Sequence, residues 1–512
     1  MLIKVFGAAV QGIDATLITI EVNSSRGCMF YLVGLPDSAV KESHQRIISA
    51  LQVNGYRMPT SNIVINMAPA DIRKEGAAYD LPLAIGILAA SEVIQSDKLE
   101  RYLLMGELSL DGSLQPIKGA LPIAIKAREL GFEGMIVPQQ NAHEAAVVNN
   151  LKVYGAGNIK EVIEFFNGTQ ELTPTLVNTR EEFYSQQSNF DFDFAEVKGQ
   201  ENVKRALEVA ASGSHNILLI GSPGSGKSML AKRLPSILPP LSLGESLETT
   251  KIHSVAGKLG KDGGLISKRP FRAPHHTIST VAMTGGGSFP QPGEISLAHN
   301  GILYLDELPE YSRTVLEVLR QPLEDRKITV SRIRCNVEYP ASFMLVASMN
   351  PCPCGYYTHP TKACVCSPGQ VQKYLNRISG PLLDRIDLQI EVTPLPFEEM
   401  ADSRPGESSA TIRERVIRAR QIQEARYADI PGIYCNAQMN SKLLARHARP
   451  DDKGLAMLKT AMNRLNLSAR AYDRILKVSR TIADLEGCEL IQPAHLAEAI
   501  GYRNLDREDW AG

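Results

Sequence analysis

The chain has 512 residues, more than one hydrophobic core normally supports, so we expect two or three domains. A hydrophobic content of 44% and a charged content of 22% are typical of a soluble globular protein and exclude a disordered or membrane-embedded class. The formal net charge of −1 neither favours nor excludes nucleic-acid binding, which would need a local basic surface. Because the first residues lack a signal-peptide pattern, we expect a cytoplasmic protein.

Residues 1–168 alternate short β-rich runs with helical patterns, which is typical of an α/β or α+β domain. The strand patterns cover residues 16–22, 63–67, 103–108 and 134–137, and the helical patterns cover residues 38–54, 81–91 and 120–130. Residues 169–192 are polar and contain few apolar residues, which predicts a linker.

Residues 217–228 follow the order strand, glycine-rich loop, helix. In such a loop, glycines let backbone N–H groups surround phosphate, a lysine reaches the terminal phosphates and a serine hydroxyl ligates Mg²⁺. The predicted nucleotide-binding residues are Gly221, Ser222, Pro223, Gly224, Ser225, Gly226, Lys227 and Ser228.

A second apolar strand, at residues 301–305, ends in Asp306 and Glu307. This pair suits an aspartate that holds Mg²⁺ beside a glutamate that polarises the attacking water. A third apolar strand ends at Asn350, whose amide can orient that water between the phosphate loop and Glu307. The sequence therefore predicts a P-loop nucleotide hydrolase built on a parallel sheet, with ATP and Mg²⁺ as its cofactors.

Residues 327–340 alternate β-branched and polar residues, which predicts a β-hairpin with cationic residues near its tip. Lys327, Arg332 and Arg334 suit sequence-independent contact with DNA phosphates. The alternative is a surface hairpin with solvated charges.

Four of the eight cysteines form two Cys-x-Cys pairs, Cys352 with Cys354 and Cys364 with Cys366. Their number fits a tetrahedral structural Zn²⁺ site, without the open position that a catalytic metal requires. Because this spacing is less diagnostic than Cys-x-x-Cys, buried thiols that pack behind Asn350 are an equal alternative.

Residues 396–512 are helical in pattern and rich in arginine, which predicts a helical lid after an ATPase core at residues 193–395. The helical patterns cover residues 411–427, 441–447, 452–465, 469–486 and 493–499.

Five motifs together resemble one family over essentially the whole chain. They lie at residues 193–200, 272–276, 292–299, 349–355 and 380–387. The chain resembles AAA+ ATPases related to the magnesium-chelatase I subunit, and among them the YifB/ComM family. The resemblance implies a homo-oligomeric, hexameric ring motor that acts on single-stranded or branched DNA and has no membrane partner. It implies helicase or branch-migration activity in homologous recombination and natural transformation. The alternative from another class is a chelatase-like ATPase that remodels proteins and does not translocate DNA.

The resemblance also assigns roles to two arginines. Arg385 resembles the finger that reaches the γ-phosphate bound by the neighbouring subunit, and it counts as catalytic together with Lys227, Glu307 and Asn350. The alternative is an ion pair of Arg385 with Asp384 or Asp387 in its own fold. Arg470 resembles the second sensor, which contacts nucleotide, with Arg474 as the second choice. The pattern alone predicts two solvent-facing helix charges.

The amino-terminal domain resembles the proteolytic domain of Lon-type proteases, but it departs from that pattern at both catalytic positions. Alanine occupies position 78, where the pattern has its nucleophilic serine, and Pro122 occupies the lysine position. Without nucleophile and base, acyl transfer has no route. We therefore expect an inactive α+β domain that serves as a scaffold for ring assembly or as a DNA guide.

Overall fold

The computed structural model describes residues 2–187, 189–260, 263–287, 290–332, 335–357, 359–396, 404–465 and 467–503. Its internal contacts divide the chain into two compact units. Unit 1 contains Met1–Gln186, Leu243–Ser267 and Pro290–Pro292, and unit 2 contains Gln187–Ser242, Lys268–Phe289 and Gly293–Gly512. Within the described ranges, no helix is both long enough and apolar enough to cross a lipid bilayer.

Unit 1 is built on a seven-stranded mixed sheet with the strand order β3-β4-β2-β1-β5-β8-β9. Strand β2 pairs antiparallel with β1 and β4, and the remaining pairs are parallel. Its strands are β1 Leu2–Gln11, β2 Asp14–Ser25, β3 Phe30–Val33, β4 Asn62–Ala68, β5 Tyr102–Leu104, β8 Gly134–Pro138 and β9 Lys152–Ala156, and two further short strands, β6 Glu107–Leu108 and β7 Leu114–Gln115, pair with each other.

Helices cover this sheet, and Asp80–Ala90 is the most deeply buried of them because all its residues are apolar or small except Asp80. The α-helices of unit 1 are Ser38–Val53, Asp80–Ala90, Ala120–Glu129, Gln139–Ala146, Ile159–Asn167, Thr179–Gln186 and Leu243–Val255, with short 3₁₀ turns at Ala77–Tyr79 and Leu99–Arg101. The helix Thr179–Gln186 lies inside the segment that the sequence predicts as a linker.

The helix Leu243–Val255 belongs to unit 1 although it lies in sequence after the phosphate loop. Leu247 and Leu265 pack against the unit 1 core, and the Ser254 backbone carbonyl accepts a hydrogen bond from the Gly119 N–H. The Ser254 hydroxyl donates to the buried Glu144. Burial of apolar side chains and of this polar contact makes the segment part of the unit 1 core.

Unit 2 contains a five-stranded sheet in which every pair of neighbours is parallel, in the order β11-β14-β17-β10-β18. The strands β10, β14 and β17 are buried along their whole length, as expected for a parallel sheet with helices on both faces. The strands are β10 Ile217–Ile220, β11 Phe271–Arg272, β14 Ile302–Leu305, β17 Met344–Met349 and β18 Leu388–Glu391.

The α-helices of unit 2 include a carboxy-terminal group whose bounds lie within two residues of the helical patterns in the sequence. They are Glu201–Gly213, Lys227–Arg233, Thr280–Thr284, Glu294–Leu297, Arg313–Glu317, Arg320–Asp325, Pro368–Leu375, Gly380–Leu383, Ser409–Tyr427, Ser441–His447, Asp452–Arg464, Ala469–Leu485 and Pro493–Gly501. Short 3₁₀ turns occur at Phe194–Glu196, Leu234–Ile237, Leu308–Glu310 and Asn436–Gln438, and the remaining short strands are β12 Gly285–Gly286, β13 Gln291–Pro292, β15 Lys327–Arg332 and β16 Cys335–Pro340.

Unit 1 contains a buried ion pair, and a substitution can test its contribution to the free energy of unfolding. Arg46 donates to both oxygens of Asp80, at 2.6 and 2.9 Å, and the Asp80 side chain is only 1% exposed. Replacing Arg46 with Met leaves a buried carboxylate without its cation, so we expect Arg46→Met to lower the free energy of unfolding by about 3 kcal/mol. Chemical denaturation of the purified chain measures this loss.

The exposed pair of Arg101 and Glu133 provides the control, because both side chains are 56% exposed and we expect Arg101→Met to cost under about 1 kcal/mol. Burial already raises the pKa of Asp80, and removing Arg46 raises it further. The folded variant therefore binds a proton more readily than its unfolded chain, and the loss of stability should shrink as pH falls. Equal losses in the two variants would contradict the prediction.

Candidate active site

The phosphate loop connects the end of β10 to the helix Lys227–Arg233 and is shaped by glycine. Gly224 and Gly226 have φ angles of +81° and +91°, which other residues adopt only with strain. A Cβ atom on Gly221 would lie 2.3 Å from the Val392 carbonyl oxygen. The sequence folds here into a tight turn that exposes backbone N–H groups at a helix amino terminus.

The loop carries polar groups that fit a triphosphate. The hydroxyls of Ser222 and Ser225 are buried and have no hydrogen-bond partner within the described part of the chain. The Lys227 ammonium donates to the carbonyls of Gly221 and Ser222, at 2.7 and 2.9 Å, and its burial lowers its pKa. These donors suit the oxygens of a bound phosphate chain, so the residues fit ATP.

Ser228 and Asp306, the two Mg²⁺ ligands predicted from the sequence, contact each other in the structure. The Ser228 hydroxyl donates to one oxygen of Asp306 at 3.0 Å, and the Ser348 hydroxyl donates to the other. Burial opposes ionisation of Asp306, but the hydrogen bonds from Ser348 and Ser228 outweigh it and hold the pKa of this carboxyl below its ordinary value. An ionised carboxylate beside a hydroxyl is the donor set that Mg²⁺ prefers, so these residues fit the metal.

Glu307 follows Asp306 in a left-handed conformation, with φ at +54° and ψ at +50°. This turn separates the two neighbouring carboxylates, and the Glu307 side chain is 56% exposed. Its Oε2 lies 3.9 Å from Nδ1 of His276, whose ring lies tilted against that of His275. This exposed position suits the predicted role of a glutamate that polarises water.

Asn350 lies where β17 ends, directly beside the phosphate loop. Its side-chain oxygen accepts a hydrogen bond from Nζ of Lys227 at 3.3 Å. The structure therefore brings Lys227, Ser228, Asp306 and Asn350 together at the carboxyl ends of β10, β14 and β17.

Arg385 lies at the other edge of this sheet. The Asn216 side chain, which directly precedes β10, donates to the Arg385 carbonyl at 2.9 Å. The guanidinium is only 7% exposed and pairs with Glu324, a partner that the sequence did not indicate. Strand β10 spans about 13 Å between this edge and the phosphate loop.

The two lid arginines lie near Arg385 and not near the phosphate loop. Arg470 approaches Asp384 at 3.5 Å and is 60% exposed. Arg474 approaches the buried Asp387 at 3.1 Å. Burial opposes ionisation of Asp387, yet the positive charge of Arg474 and the hydrogen bond from His215 lower its pKa. The exposed Arg470 is thus the freer of the two arginines.

The predicted hairpin forms from β15 and β16, with Lys327 opposite Pro340 and Arg332 opposite Cys335. Lys327 lies in the part of the hairpin distant from the turn and pairs with Glu338 at 2.9 Å. Only the backbone of Arg332 is described, and Arg334 lies outside the described residues. The DNA-binding role of the three cations stays a prediction.

The four predicted zinc ligands converge. The sulfur atoms of Cys352, Cys354, Cys364 and Cys366 all lie within 4.8 Å of one another.

In unit 1, Ala78 lies in the turn before the helix Asp80–Ala90, and Pro122 is buried in the helix Ala120–Glu129. The protease-like origin of this unit stays a prediction.

Sequence reasoning missed two residues of the site. Ser348 bonds Asp306, and its only signal was a polar residue inside an otherwise apolar strand. His276 belongs to a motif that carried the family resemblance, but no pattern in the sequence indicated its approach to Glu307. Both contacts depend on how separate segments pack.

Comparisons with known proteins agree with this geometry. A model of magnesium chelatase, subunit ChlI, matches residues 193–400, a model of the ChlI C-terminal region matches residues 406–503, and a model of subunit ChlI of Mg-chelatase matches residues 20–141. The chain is 45% identical over 506 residues to competence protein ComM of Haemophilus influenzae, covering 98% of this chain and 97% of that protein.

Two further relatives extend the comparison. The chain is 43% identical over 507 residues to the uncharacterized protein YifB of Escherichia coli, covering 98% of this chain and 96% of that one. It is 26% identical over 179 residues to the magnesium-chelatase 38 kDa subunit of Rhodobacter capsulatus, covering 31% of this chain and 50% of the relative.

The contact of Ser348 with Asp306 yields a prediction for metal dependence. We expect Ser348→Ala to raise the Mg²⁺ concentration for half-maximal ATP turnover about tenfold, because the carboxylate loses the bond that orients it. The pKa of Asp306 should also rise, so the defect should deepen as pH falls. Ser479→Ala is the control, since Ser479 is equally buried but bonds a carbonyl of its own helix. Unchanged Mg²⁺ dependence in Ser348→Ala would remove this serine from the metal site.

Proposed function

Because the chain belongs to the YifB/ComM family of magnesium-chelatase-like AAA+ ATPases, we propose that it is an ATP-driven hexameric motor that moves on DNA. Its activity is helicase or branch migration during homologous recombination, in the uptake of foreign DNA by natural transformation. The observation that carries this proposal is the near-full-length similarity to a protein named for competence.

The residues of the site divide the work of ATP hydrolysis. Ser228 and Asp306 would hold Mg²⁺, which would neutralise phosphate charge when bound. Lys227 and the loop N–H groups bind and orient the phosphates. Glu307 accepts a proton from the attacking water, while Asn350 positions that water.

The position of Arg385 supports a site completed by a neighbouring subunit. Its backbone bonds Asn216 at the amino end of β10, about 13 Å of strand away from the phosphate loop of the same chain. An arginine at this edge cannot reach its own nucleotide, but in a ring it can face the site of the next copy. Arg470 pairs with Asp384, which directly precedes Arg385 in the chain. We therefore place both arginines on the same side of the proposed subunit interface.

Mixing two inactive variants tests this arrangement. Arg385→Ala lacks the finger and Glu307→Gln lacks the base, so we expect each alone to lose at least about 100-fold in turnover. A mixed ring contains interfaces that combine an intact base with an intact finger. Steady-state ATPase of the mixture should therefore exceed that of either variant alone, and a mixture as inactive as its parts would contradict action in trans.

Glu324→Gln distinguishes a finger from a structural ion pair. Glu324 is the partner of Arg385 within one chain, and its own side chain is 51% exposed. If Arg385 acts on a neighbouring nucleotide, Glu324→Gln should retain turnover within about twofold while Arg385→Ala loses it. Equal losses would assign Arg385 to the fold of its own chain.

A second candidate function is remodelling of partner proteins without DNA. The similarity to the magnesium-chelatase 38 kDa subunit favours it, as does the pairing of Lys327 with Glu338, which reduces the positive charge offered to phosphates. The two functions differ in one respect, because only a DNA motor should hydrolyse ATP faster when DNA is bound.

We expect single-stranded or branched DNA to stimulate ATP turnover, and we expect Lys227→Ala to abolish turnover with and without DNA.

The triple variant Lys327→Ala, Arg332→Ala, Arg334→Ala should bind DNA about tenfold more weakly and with a smaller salt dependence, because phosphate contacts are lost. Its basal ATPase should be unchanged. Filter binding at two salt concentrations and steady-state ATPase are the measurements.

The lid provides a charge-matched control. Lys442, Arg446 and Arg449 are one lysine and two arginines that are all exposed, so their alanine variant loses the same net charge. We expect this control to bind DNA normally. If none of the DNA substrates changes the rate of ATP turnover, the protein-remodelling function replaces the DNA motor. If the hairpin variant binds DNA as tightly as the wild type, the DNA contact lies elsewhere.

A further inference from the structure

We propose that Cys352, Cys354, Cys364 and Cys366 bind one structural Zn²⁺ ion, and that this ion fixes the wall of the ATP site formed by residues 350–357 and 359–367. The first part goes beyond the proposed function. The second part rests on the ATPase activity within it.

The sulfur positions suit a tetrahedral metal. Three of the Sγ–Sγ distances are 3.3 Å for Cys352–Cys354, 3.7 Å for Cys352–Cys364 and 3.5 Å for Cys354–Cys364. Four sulfurs at the usual Zn–S length of about 2.3 Å would lie about 3.8 Å apart. The cysteines converge as one group of four rather than as two separate pairs.

The backbone around the cluster is arranged to receive thiolates. The Tyr357 N–H donates to Sγ of Cys352 at 3.3 Å, and the Cys366 N–H donates to Sγ of Cys364 at 3.4 Å. Such bonds stabilise sulfur that has given up its proton, which is the form that ligates zinc. The neighbouring His359 uses Nδ1 to accept backbone N–H bonds from Thr361 and Lys362, and the group of converging ligand atoms consists of the four thiols.

Regular secondary structure does not order this loop. From 351 to 367, its described residues form neither strand nor helix, and Pro351, Cys352 and Gly355 are the buried ones among them. In the local apolar cluster of described residues, the buried members are Cys352 and Val371. A core this small does not offset the conformational entropy of a long irregular segment, whereas a metal with four ligands does.

The same loop contacts the ATP site at two places. Cys352 follows Asn350 by two residues, so fixing its sulfur restricts the backbone that carries the sensor amide. Gly355 lies so close to the phosphate loop that a Cβ atom on it would be 2.5 Å from Cδ of Pro223. Pro351, Tyr357 and His359 also line a cavity together with Gly221 and Ser222. Release of the ion would therefore loosen the wall beside the phosphates.

Metal analysis of the full chain, purified without chelator, tests the site directly. We expect about one zinc ion per chain in the wild type and in Lys227→Ala, which abolishes ATP turnover but leaves the cysteines intact. The double variant Cys354→Ser, Cys364→Ser should lose the ion. Cys28→Ser is the matched control, because this exposed cysteine lies outside the cluster and its removal should leave the zinc content unchanged.

ATP turnover tests the second part. We expect the double variant to retain its far-ultraviolet circular dichroism but to lose ATP turnover by about tenfold or more. The control Cys28→Ser should retain its ATP turnover. Wild-type zinc far below one per chain, or iron in its place, would overturn the metal assignment whatever the ATPase does. If the wild type contains zinc but the double variant, without zinc, turns over ATP at the wild-type rate, only the coupling to the ATP site is overturned.

Discussion

The common direction of the five strands in unit 2 decides where the phosphate loop, Asp306 and Asn350 lie. Parallel strands end at one edge, so the residues that follow β10, β14 and β17 meet there whatever their distance in sequence. Asn216 holds the opposite edge: its side chain accepts from the Leu345 N–H and donates to the Arg385 carbonyl, and its backbone N–H donates to the Asp387 carboxylate. The phosphate loop and Arg385 are thereby kept at different ends of one sheet, and the ring of copies that we propose would bring them together.

Much of the ATP site could be predicted from sequence because its chemistry is carried by short motifs. The phosphate loop needs glycines at fixed positions, and Asp306 and Asn350 each follow an apolar strand, so the strand direction alone brings them together. Contacts between distant segments carry no such signal. Ser348 is one polar residue in an apolar strand, and the partner of Arg385 proved to be Glu324 rather than the neighbouring Asp384 or Asp387.

In the fold, too, features set by local sequence could be predicted, and features set by packing between distant segments could not. Helical periodicity predicted Ser441–His447 with its observed bounds and most other lid helices to within two residues, because apolar spacing is a local property. The sequence did not indicate that Leu243–Val255 belongs to unit 1, since its amphipathic character is weak and its burial comes from the partner surface. The cysteines illustrate an intermediate case, because their number predicted a cluster and only the structure shows that all four converge.

The path of the chain has a practical consequence for dissecting the protein. Because residues 243–267 complete unit 1 while lying after the phosphate loop, a cut in the polar segment before residue 193 yields neither unit whole. A fragment starting there would carry Leu247 and Leu265 without the core that buries them, and the amino-terminal fragment would leave Glu144 without Ser254. Neither fragment would contain a complete core, so we expect each unit to fold only within the continuous chain.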